Sequence, residues 1–307
     1  MNKIFTYIMF LCFVSNSLFA QDTLTFYYNK NWEVIKNKNI AVYYRKAFVD
    51  GNKLWNVHDY FMNDTLQMLG SYKSKKFQSK HGHFTYYYEN GKKQSDGNYV
   101  NDKIEGFWVY GFENGTKKSE GNFINDKKED IWNYWHENGF KKSTGKYVND
   151  KAEGIWEYWY DNGQKKSEGL YVADMAEGIW RYKFDSGEKR SEGKFIKDEK
   201  DSIWKYWYKS GQIESEENYT RKACFSTIGY FENGKQMFKG NYVDGKNTGE
   251  STYWNVKGNM TYKGSYLNGE KNGEWDKYFP NGEIMKLYYT NGVLEGKQLG
   301  GIIVNED

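Results

Sequence analysis

The side chains best suited to metal chemistry are four histidines: His58, His81, His83 and His136. His81 and His83 would share one face of an extended strand and could begin a metal site. A closed zinc site needs four ligands and a catalytic one needs three from the protein. Since no third ligand follows at a suitable spacing, we expect a solvated pair and no bound metal. His136 stands where neighbouring repeats have Tyr160 and Phe184, which indicates a packing variant.

Acidic side chains recur in the segments that begin at Asn101, Asn125 and Asn149. Carboxylates at regular spacing are suited to calcium. The order of acidic residues typical of an EF-hand loop is absent, so we expect turns held by Asn and Asp side chains.

Cys224 is the one cysteine beyond the first twenty residues. It cannot form an intramolecular disulfide alone, and no motif places a base beside it, so we expect a buried structural thiol. The sequence has no glycine-rich phosphate loop, nucleophile elbow or repeated Ser/His/Asp group. It therefore predicts no catalytic residue, no cofactor and no enzymatic activity.

Aromatic side chains remain as candidates for binding. Trp135, Trp159 and Trp207 project from the face opposite to a regular tryptophan row. They either pack under lysine stems or form a binding surface.

These candidates belong to a repeat of 24 residues, whose period indicates a repeat architecture. The aromatic positions of the repeat are Phe84, Trp108, Trp132, Trp156, Trp180 and Trp204. The glycine positions are Gly97, Gly121, Gly145, Gly169 and Gly193.

Each repeat predicts one β-hairpin. Alternate residues from Trp156 share one face of a strand, and Asn162-Gly163 then predicts a two-residue type I′ turn. That turn places Tyr160 opposite Lys165 and Trp156 opposite Gly169. A large ring opposite a glycine can cover its bare backbone, so we expect each tryptophan to cover the glycine of its own hairpin.

The other face is the more solvated one, because its cross-strand pairs are mostly polar. Arg181–Glu192 and Lys205–Glu216 are expected to attract, whereas Glu157–Glu168 is expected to repel.

Composition favours a folded β protein. The chain has 307 residues, 20% of them aromatic, one proline and a net charge of +3. This fits strands with a partly buried aromatic face and gives no support for nucleic-acid binding. The apolar run at 4–14, followed by Leu18-Phe19-Ala20, predicts a cleaved secretory signal peptide. The mature chain would be exported to the periplasm, the outer-membrane surface or the medium, with no transmembrane segment.

The sequence thus predicts an all-β, elongated single-sheet array of about nine 24-residue hairpin units. The expected divisions are a signal peptide at 1–20, an N-terminal cap with a degenerate repeat at 21–81, the repeats at 82–296 and a tail at 297–307.

Blocks such as 106–123 and 154–171, of the form G-x-W-x-Y-x-x-x-N-G-x-x-x-S-E-G-x-Y, resemble MORN-type repeats. The resemblance is to the divergent bacterial form, the MORN repeat variant or YwqK-like antitoxin component family, and covers roughly two thirds of the chain. The segments near Tyr27 and Tyr43 also resemble the start of exported Bacteroidetes proteins with such repeats. This likeness implies protein or membrane-surface binding, or neutralisation of a toxin.

Three functions follow as expectations. The first is a non-catalytic scaffold that binds an unidentified protein in the cell envelope, since Tyr and Trp are favoured at interfaces. The second is an antitoxin or immunity-type inhibitor. The third is a module that binds cell-wall glycan through exposed aromatic rings.

Overall fold

The computed structural model describes residues 23–51, 53–220, 223–300 and 302–305. These form a single open antiparallel sheet, which confirms the expected all-β array of hairpins. The sheet follows chain order from β3 onward, with β1 paired to β3 and β2 at the outer edge. A short 3₁₀ helix spans Lys38–Ile40. The expected signal peptide lies outside the described residues.

The strands are β1 (Leu24–Tyr28), β2 (Val34–Ile35), β3 (Tyr43–Val49), β4 (Trp55–Phe61), β5 (Leu66–Tyr72), β6 (Gly82–Tyr87), β7 (Lys93–Val100), β8 (Lys103–Gly111), β9 (Lys117–Ile124), β10 (Lys127–Trp135), β11 (Lys141–Val148), β12 (Lys151–Trp159), β13 (Lys165–Val172), β14 (Met175–Lys183), β15 (Lys189–Ile196), β16 (Glu199–Trp207), β17 (Ile213–Thr220), β18 (Ala223–Tyr230), β19 (Gln236–Val243), β20 (Lys246–Trp254), β21 (Met260–Leu267), β22 (Glu270–Tyr278), β23 (Ile284–Thr290), β24 (Val293–Leu299) and β25 (Ile302–Asn305).

The Asn-Gly loops are not the two-residue type I′ turns that the sequence predicts. Tyr160 N–H donates to the carbonyl of Gln164, so three residues form the loop. Gly163 has a φ of +84°, whereas Asn162 is not among the residues with positive φ. This is the pattern of a type I turn that ends in a left-handed glycine. The expected pairing of Tyr160 with Lys165 is therefore wrong.

A register shift follows immediately and restores the expected alignment. Trp159 pairs with Lys165, but Tyr158 pairs with Ser167 and Trp156 with Gly169. The longer loop and the bulge thus offset each other.

Type I′ turns instead connect one hairpin to the next. Asn149 and Asp150 have φ values of 51° and 67°, and the equivalent residues of other connections also have positive φ. The Asp150 carboxylate accepts a hydrogen bond of 2.7 Å from the backbone N–H of Lys128, one repeat earlier. The same contact recurs at Asp102, Asp126, Asp174 and Asp198. These carboxylates therefore bind the neighbouring hairpin.

The core is one face of the sheet, here called the first face, which carries the repeated tryptophans. Their rings cover glycines of the preceding hairpin, so the expectation that each covers its own partner is wrong. A Cβ built on Gly145 would lie 2.1 Å from Cδ2 of Trp156, and one on Gly169 would lie equally close to Trp180. The Trp156 indole N–H donates to the carbonyl of Lys146 at 3.2 Å. Each tryptophan thus joins two hairpins through packing and a hydrogen bond.

A bulge makes this crossing possible. Thr144 pairs with Glu157 and Lys146 with Glu153, so Gly145 faces three residues of β12 without pairing. Gly154 begins that segment with a φ of +76°, a conformation that glycine adopts without steric cost.

Among the N-terminal strands the buried residues of the first face are Ala47, Val57, Met68, Tyr72 and Phe84. A buried ion pair lies beside them, where Arg45 Nε and Nη2 donate to the two carboxylate oxygens of Asp59 at 2.7 and 2.8 Å. The sequence reasoning missed this pair. A bidentate ion pair with both groups buried restricts how β3 and β4 can align.

Candidate binding surface

The three tryptophans proposed from the sequence lie on the second face, opposite to the core. Trp135, Trp159 and Trp207 are half-buried. Lysine ammonium groups of the preceding hairpins lie over their rings, with Nζ to ring-centroid distances of 5.0 Å for Lys117–Trp135, 5.0 Å for Lys141–Trp159 and 5.3 Å for Lys189–Trp207. These tryptophans therefore form a row of lysine-covered rings rather than one converging site.

The row is interrupted at Lys183, which replaces the aromatic residue of its repeat. Lys165, the lysine that would cover it, contacts two carboxylates instead. Its Nζ lies 2.6 Å from Glu157 and 2.5 Å from Glu168. The expected repulsion between these glutamates is therefore offset by a bridging cation, which lowers the pKa of Glu168.

The other polar pairs of this face agree with the expected register. Arg181 Nε lies 3.0 Å from Glu192, and Lys205 Nζ lies 3.0 Å from Glu216. Both pairs are partly exposed to solvent, so their contribution to stability is small.

The main feature that the sequence reasoning missed is a row of exposed apolar side chains on the second face. The residue before each repeated tryptophan is apolar and alternates away from the core. These residues are Phe107, Ile131, Ile155, Ile179 and Ile203, with exposed fractions between 46% for Ile179 and 62% for Ile155. A parallel row follows at Val100, Ile124, Val148, Val172 and Ile196. We call these ten residues the apolar row.

The apolar row could have been found from the sequence. Its residues recur with the same period as the tryptophans, and strand alternation assigns them to the opposite face. Counted along ten strands, the row extends on the order of 45 Å.

The rings of His83 and His136 make local contacts. His83, which is exposed, has Nδ1 at 3.2 Å from the Asn98 side chain and Nε2 at 3.3 Å from Asp96. His136 Nε2 donates to the carbonyl of Trp159 at 3.0 Å, a contact that Tyr160 makes to Lys183 in the next repeat. Across the described residues, no three His, Cys, Asp or Glu side chains are grouped as metal ligands would be.

Cys224 lies in β18, where its backbone pairs with Tyr219. Its side chain is outside the described part, so the expected buried thiol stays a prediction.

Half-buried tyrosines line the first face beside the tryptophans. Burial raises the pKa of Tyr110 and of Tyr182 to about 12. Both hydroxyls therefore remain protonated at neutral pH and can donate or accept hydrogen bonds.

Within the part of the chain that the structure describes, no helix is both long and apolar enough to cross a membrane.

The geometry defines the class of protein as an open sheet of repeated hairpins. Residues 80–101, 152–173 and 200–220 match the family model described as MORN repeat variant. The chain thus carries MORN repeat variant repeats, as the sequence resemblance indicated.

Comparisons with curated proteins and with solved structures support no family or function. No curated protein is significantly similar to the sequence. A solved structure titled "Crystal Structure of TcdB2-TccC3-Cdc42" aligns over 92% of this chain at 10% identity, with a TM-score of 0.17. The chain spans 19% of the length of that structure's chain, and a TM-score this low carries no argument about fold or function.

Proposed function

We propose that this chain is a non-catalytic, exported scaffold that binds another protein along its second face, in the cell envelope. The apolar row carries the proposal. Its side chains are exposed at the same position of successive hairpins, with polar residues such as Lys146 and Lys194 between most of them. Exposed apolar side chains grouped on one face and bordered by polar residues are typical of protein interaction sites. A regular row along successive hairpins suits an elongated partner or an extended segment of one.

The same face argues for a protein rather than a glycan. A sugar stacks on the flat face of an aromatic ring, and lysine ammonium groups lie over Trp135, Trp159 and Trp207. Aliphatic side chains such as Ile155 offer no such ring, whereas they pack well against apolar side chains of a protein.

A narrower form of the proposal follows from the resemblance to YwqK-like antitoxin components, in which the bound protein would be a toxin. The leader at residues 1–20 supports export, which a cytosolic antitoxin would not need. We therefore favour an envelope partner.

The test is affinity capture from detergent-solubilised envelope, with residues 21–307 as bait. One variant replaces Ile131, Ile155 and Ile179 by Thr, which keeps β-branched residues in the strands. The matched control replaces Val34, Ile40 and Val256 by Thr, since these side chains are on average more exposed but lie outside the apolar row.

The proposal predicts one dominant protein, retained by the parent and the control and lost with the row variant. Equal retention by all three baits, or retention on purified cell-wall glycan alone, would contradict it.

A further inference from the structure

Several hairpins place a lysine ammonium among the aromatic rings of the first face. Lys128 Nζ lies 4.6 Å from the ring centroid of Trp132, 5.4 Å from that of Tyr134 and 5.0 Å from that of Tyr147. It also donates to the Tyr134 hydroxyl at 2.9 Å. Two interactions thus hold this cation, ring quadrupoles and a hydroxyl acceptor.

The arrangement recurs at Lys200, three repeats later. Its Nζ lies 4.7 Å from Trp204, 5.2 Å from Tyr206 and 5.0 Å from Tyr219, measured to the ring centroids. It donates to the Tyr206 hydroxyl at 2.5 Å. Lys80 and Lys271 also lie over three rings each. Binding an ammonium is therefore a repeated property of this face.

One hairpin has the same three ring types but carries Ala152 at the lysine position. The rings around it are Trp156, Tyr158 and Tyr171. Among the residues described, no lysine or arginine side chain lies over any of these three rings. The group of three rings and Ala152 is called the Ala152 cage below.

The Ala152 cage keeps the geometry of the lysine-filled one. The ring centroids of Trp156 and Tyr158 are 6.0 Å apart and the ring planes make an angle of 28°. The equivalent rings of the Lys128 hairpin are 6.0 Å apart at 29°. The rings of Trp156 and Tyr171 are 6.2 Å apart at 87°, against 6.3 Å and 90° in the Lys128 hairpin. The two tyrosine hydroxyls are 3.5 Å apart, against 3.3 Å. The rings are thus preorganised for a cation that this hairpin does not itself supply.

We propose that the Ala152 cage binds a primary ammonium group, either that of a lysine side chain on another protein or that of a free alkylamine. A primary ammonium satisfies both interactions seen at Lys128, because it carries a charge for the rings and an N–H for the tyrosine hydroxyl. A quaternary ammonium has no N–H to donate. The proposal is independent of the role suggested for the apolar row, which lies on the opposite face.

The neighbouring repeat does not meet the same conditions. Ala176 is followed by Phe195 in place of the second tyrosine, so one hydroxyl is missing. Arg190 already lies over the Tyr182 ring at 5.7 Å.

The probe is n-propylammonium, since its atoms replace those of lysine beyond the alanine Cβ. Titration of the full mature chain is followed through the indole N–H resonances of Trp156 and Trp132 in two-dimensional NMR spectra, with sodium chloride as the ionic-strength control. We expect a saturable shift of Trp156 and none of Trp132.

Two variants test the assignment. Ala152→Lys supplies the ammonium from the chain and should abolish the Trp156 response. Lys128→Ala should create a second site and make Trp132 respond. Ala152→Lys reproduces the arrangement at Lys128, which the fold already contains, so we expect this variant to fold. Its result stands even if Lys128→Ala does not fold.

Two further ligands show which kind of ammonium group the Ala152 cage binds. Tetramethylammonium should bind about tenfold more weakly than n-propylammonium, because it makes no hydrogen bond. N-acetyl-lysine-methylamide should bind like n-propylammonium if the source is a protein lysine, whereas binding of n-propylammonium alone would indicate a free amine. A Trp156 response that matches the salt control, or persists in Ala152→Lys, would overturn the proposal.

Discussion

The indole of Trp156 lies on the backbone of Gly145 in the preceding hairpin, although its strand register pairs it with Gly169. The same step of one hairpin separates each repeated tryptophan from the glycine that it covers. These contacts therefore stabilise each hairpin through its neighbour rather than from within, as in other linear repeat arrays.

The first prediction concerns this contact. Gly145→Ala places a Cβ within 2.1 Å of Trp156, so we expect a loss of about 1–3 kcal/mol in unfolding free energy. In a Trp156→Ala background the cost of Gly145→Ala should largely vanish, while the cost of Gly169→Ala should persist. Urea denaturation of the double-mutant cycles measures both couplings.

Gly51→Ala is the matched control, since nothing lies within 4 Å of its added Cβ. Coupling of Trp156 to Gly169 rather than to Gly145 would show that each ring covers its own hairpin.

The pairing of hairpins was predictable from the sequence, because Trp156 and Gly169 keep a fixed spacing from the loop. The loop type was not, since Asn162-Gly163 suits both a type I′ turn and a three-residue loop that ends in a left-handed glycine. The covering of Gly145 was also not predictable, because it depends on a bulge between hairpins that has no pairing signal of its own.

The second prediction concerns His136, whose Nε2 donates to the carbonyl of Trp159. His136→Tyr should be nearly neutral, because Tyr160 makes the equivalent bond at 2.7 Å. His136→Phe should lower the unfolding free energy by about 1 kcal/mol, since it leaves that carbonyl without its donor. Urea midpoints of the two variants provide the comparison, and equal values would contradict the role of this bond.

The third prediction concerns alkaline pH. Burial raises the pKa of Tyr110 to about 12, above its ordinary value of 10.0. The folded protein therefore retains a proton that the unfolded chain loses, so stability is full below pH 10.0 and falls as pH rises towards 12. Tyrosinate absorbance and urea midpoints measured against pH test this, with Tyr110→Phe expected to show a smaller decline. Ionisation of Tyr110 at its ordinary value would contradict it.

The fourth prediction concerns Lys165 between Glu157 and Glu168. Lys165→Met should cost about 0.5–1 kcal/mol at neutral pH, because it removes the cation shared by Glu157 and Glu168 and leaves Glu168 only the 3.6 Å contact with Arg181. The loss should shrink as pH falls below the ordinary pKa of Glu168, 4.5, and in 1 M salt, where the screening length is about 3 Å.

The control for this prediction is Lys165→Met combined with Glu157→Gln, which should recover most of the stability by removing one carboxylate. A loss that is unchanged by salt or by the second substitution would show that Lys165 acts through packing alone.

The candidate surface was predictable only in part. Aromatic type drew attention to Trp159 and its counterparts, and the structure places lysine ammonium groups over those rings. The exposed side chains next to them, such as Ile155, were overlooked because a β-branched residue in a strand is usually attributed to the core. The two faces of the sheet differ in burial, and the buried face is the one that the indole rings cover.

Site-specific photo-crosslinking tests the proposed binding surface most directly. Phe107 lies in the apolar row and Phe140 lies at an Asn-Gly loop edge, and both side chains are 52% exposed. Each is replaced in turn by p-benzoylphenylalanine, and the source cells that produce the variant are irradiated. The account predicts a discrete cross-linked protein from position 107 and none from position 140. Equal cross-linking at both positions, or at neither, would contradict binding of a protein along the second face.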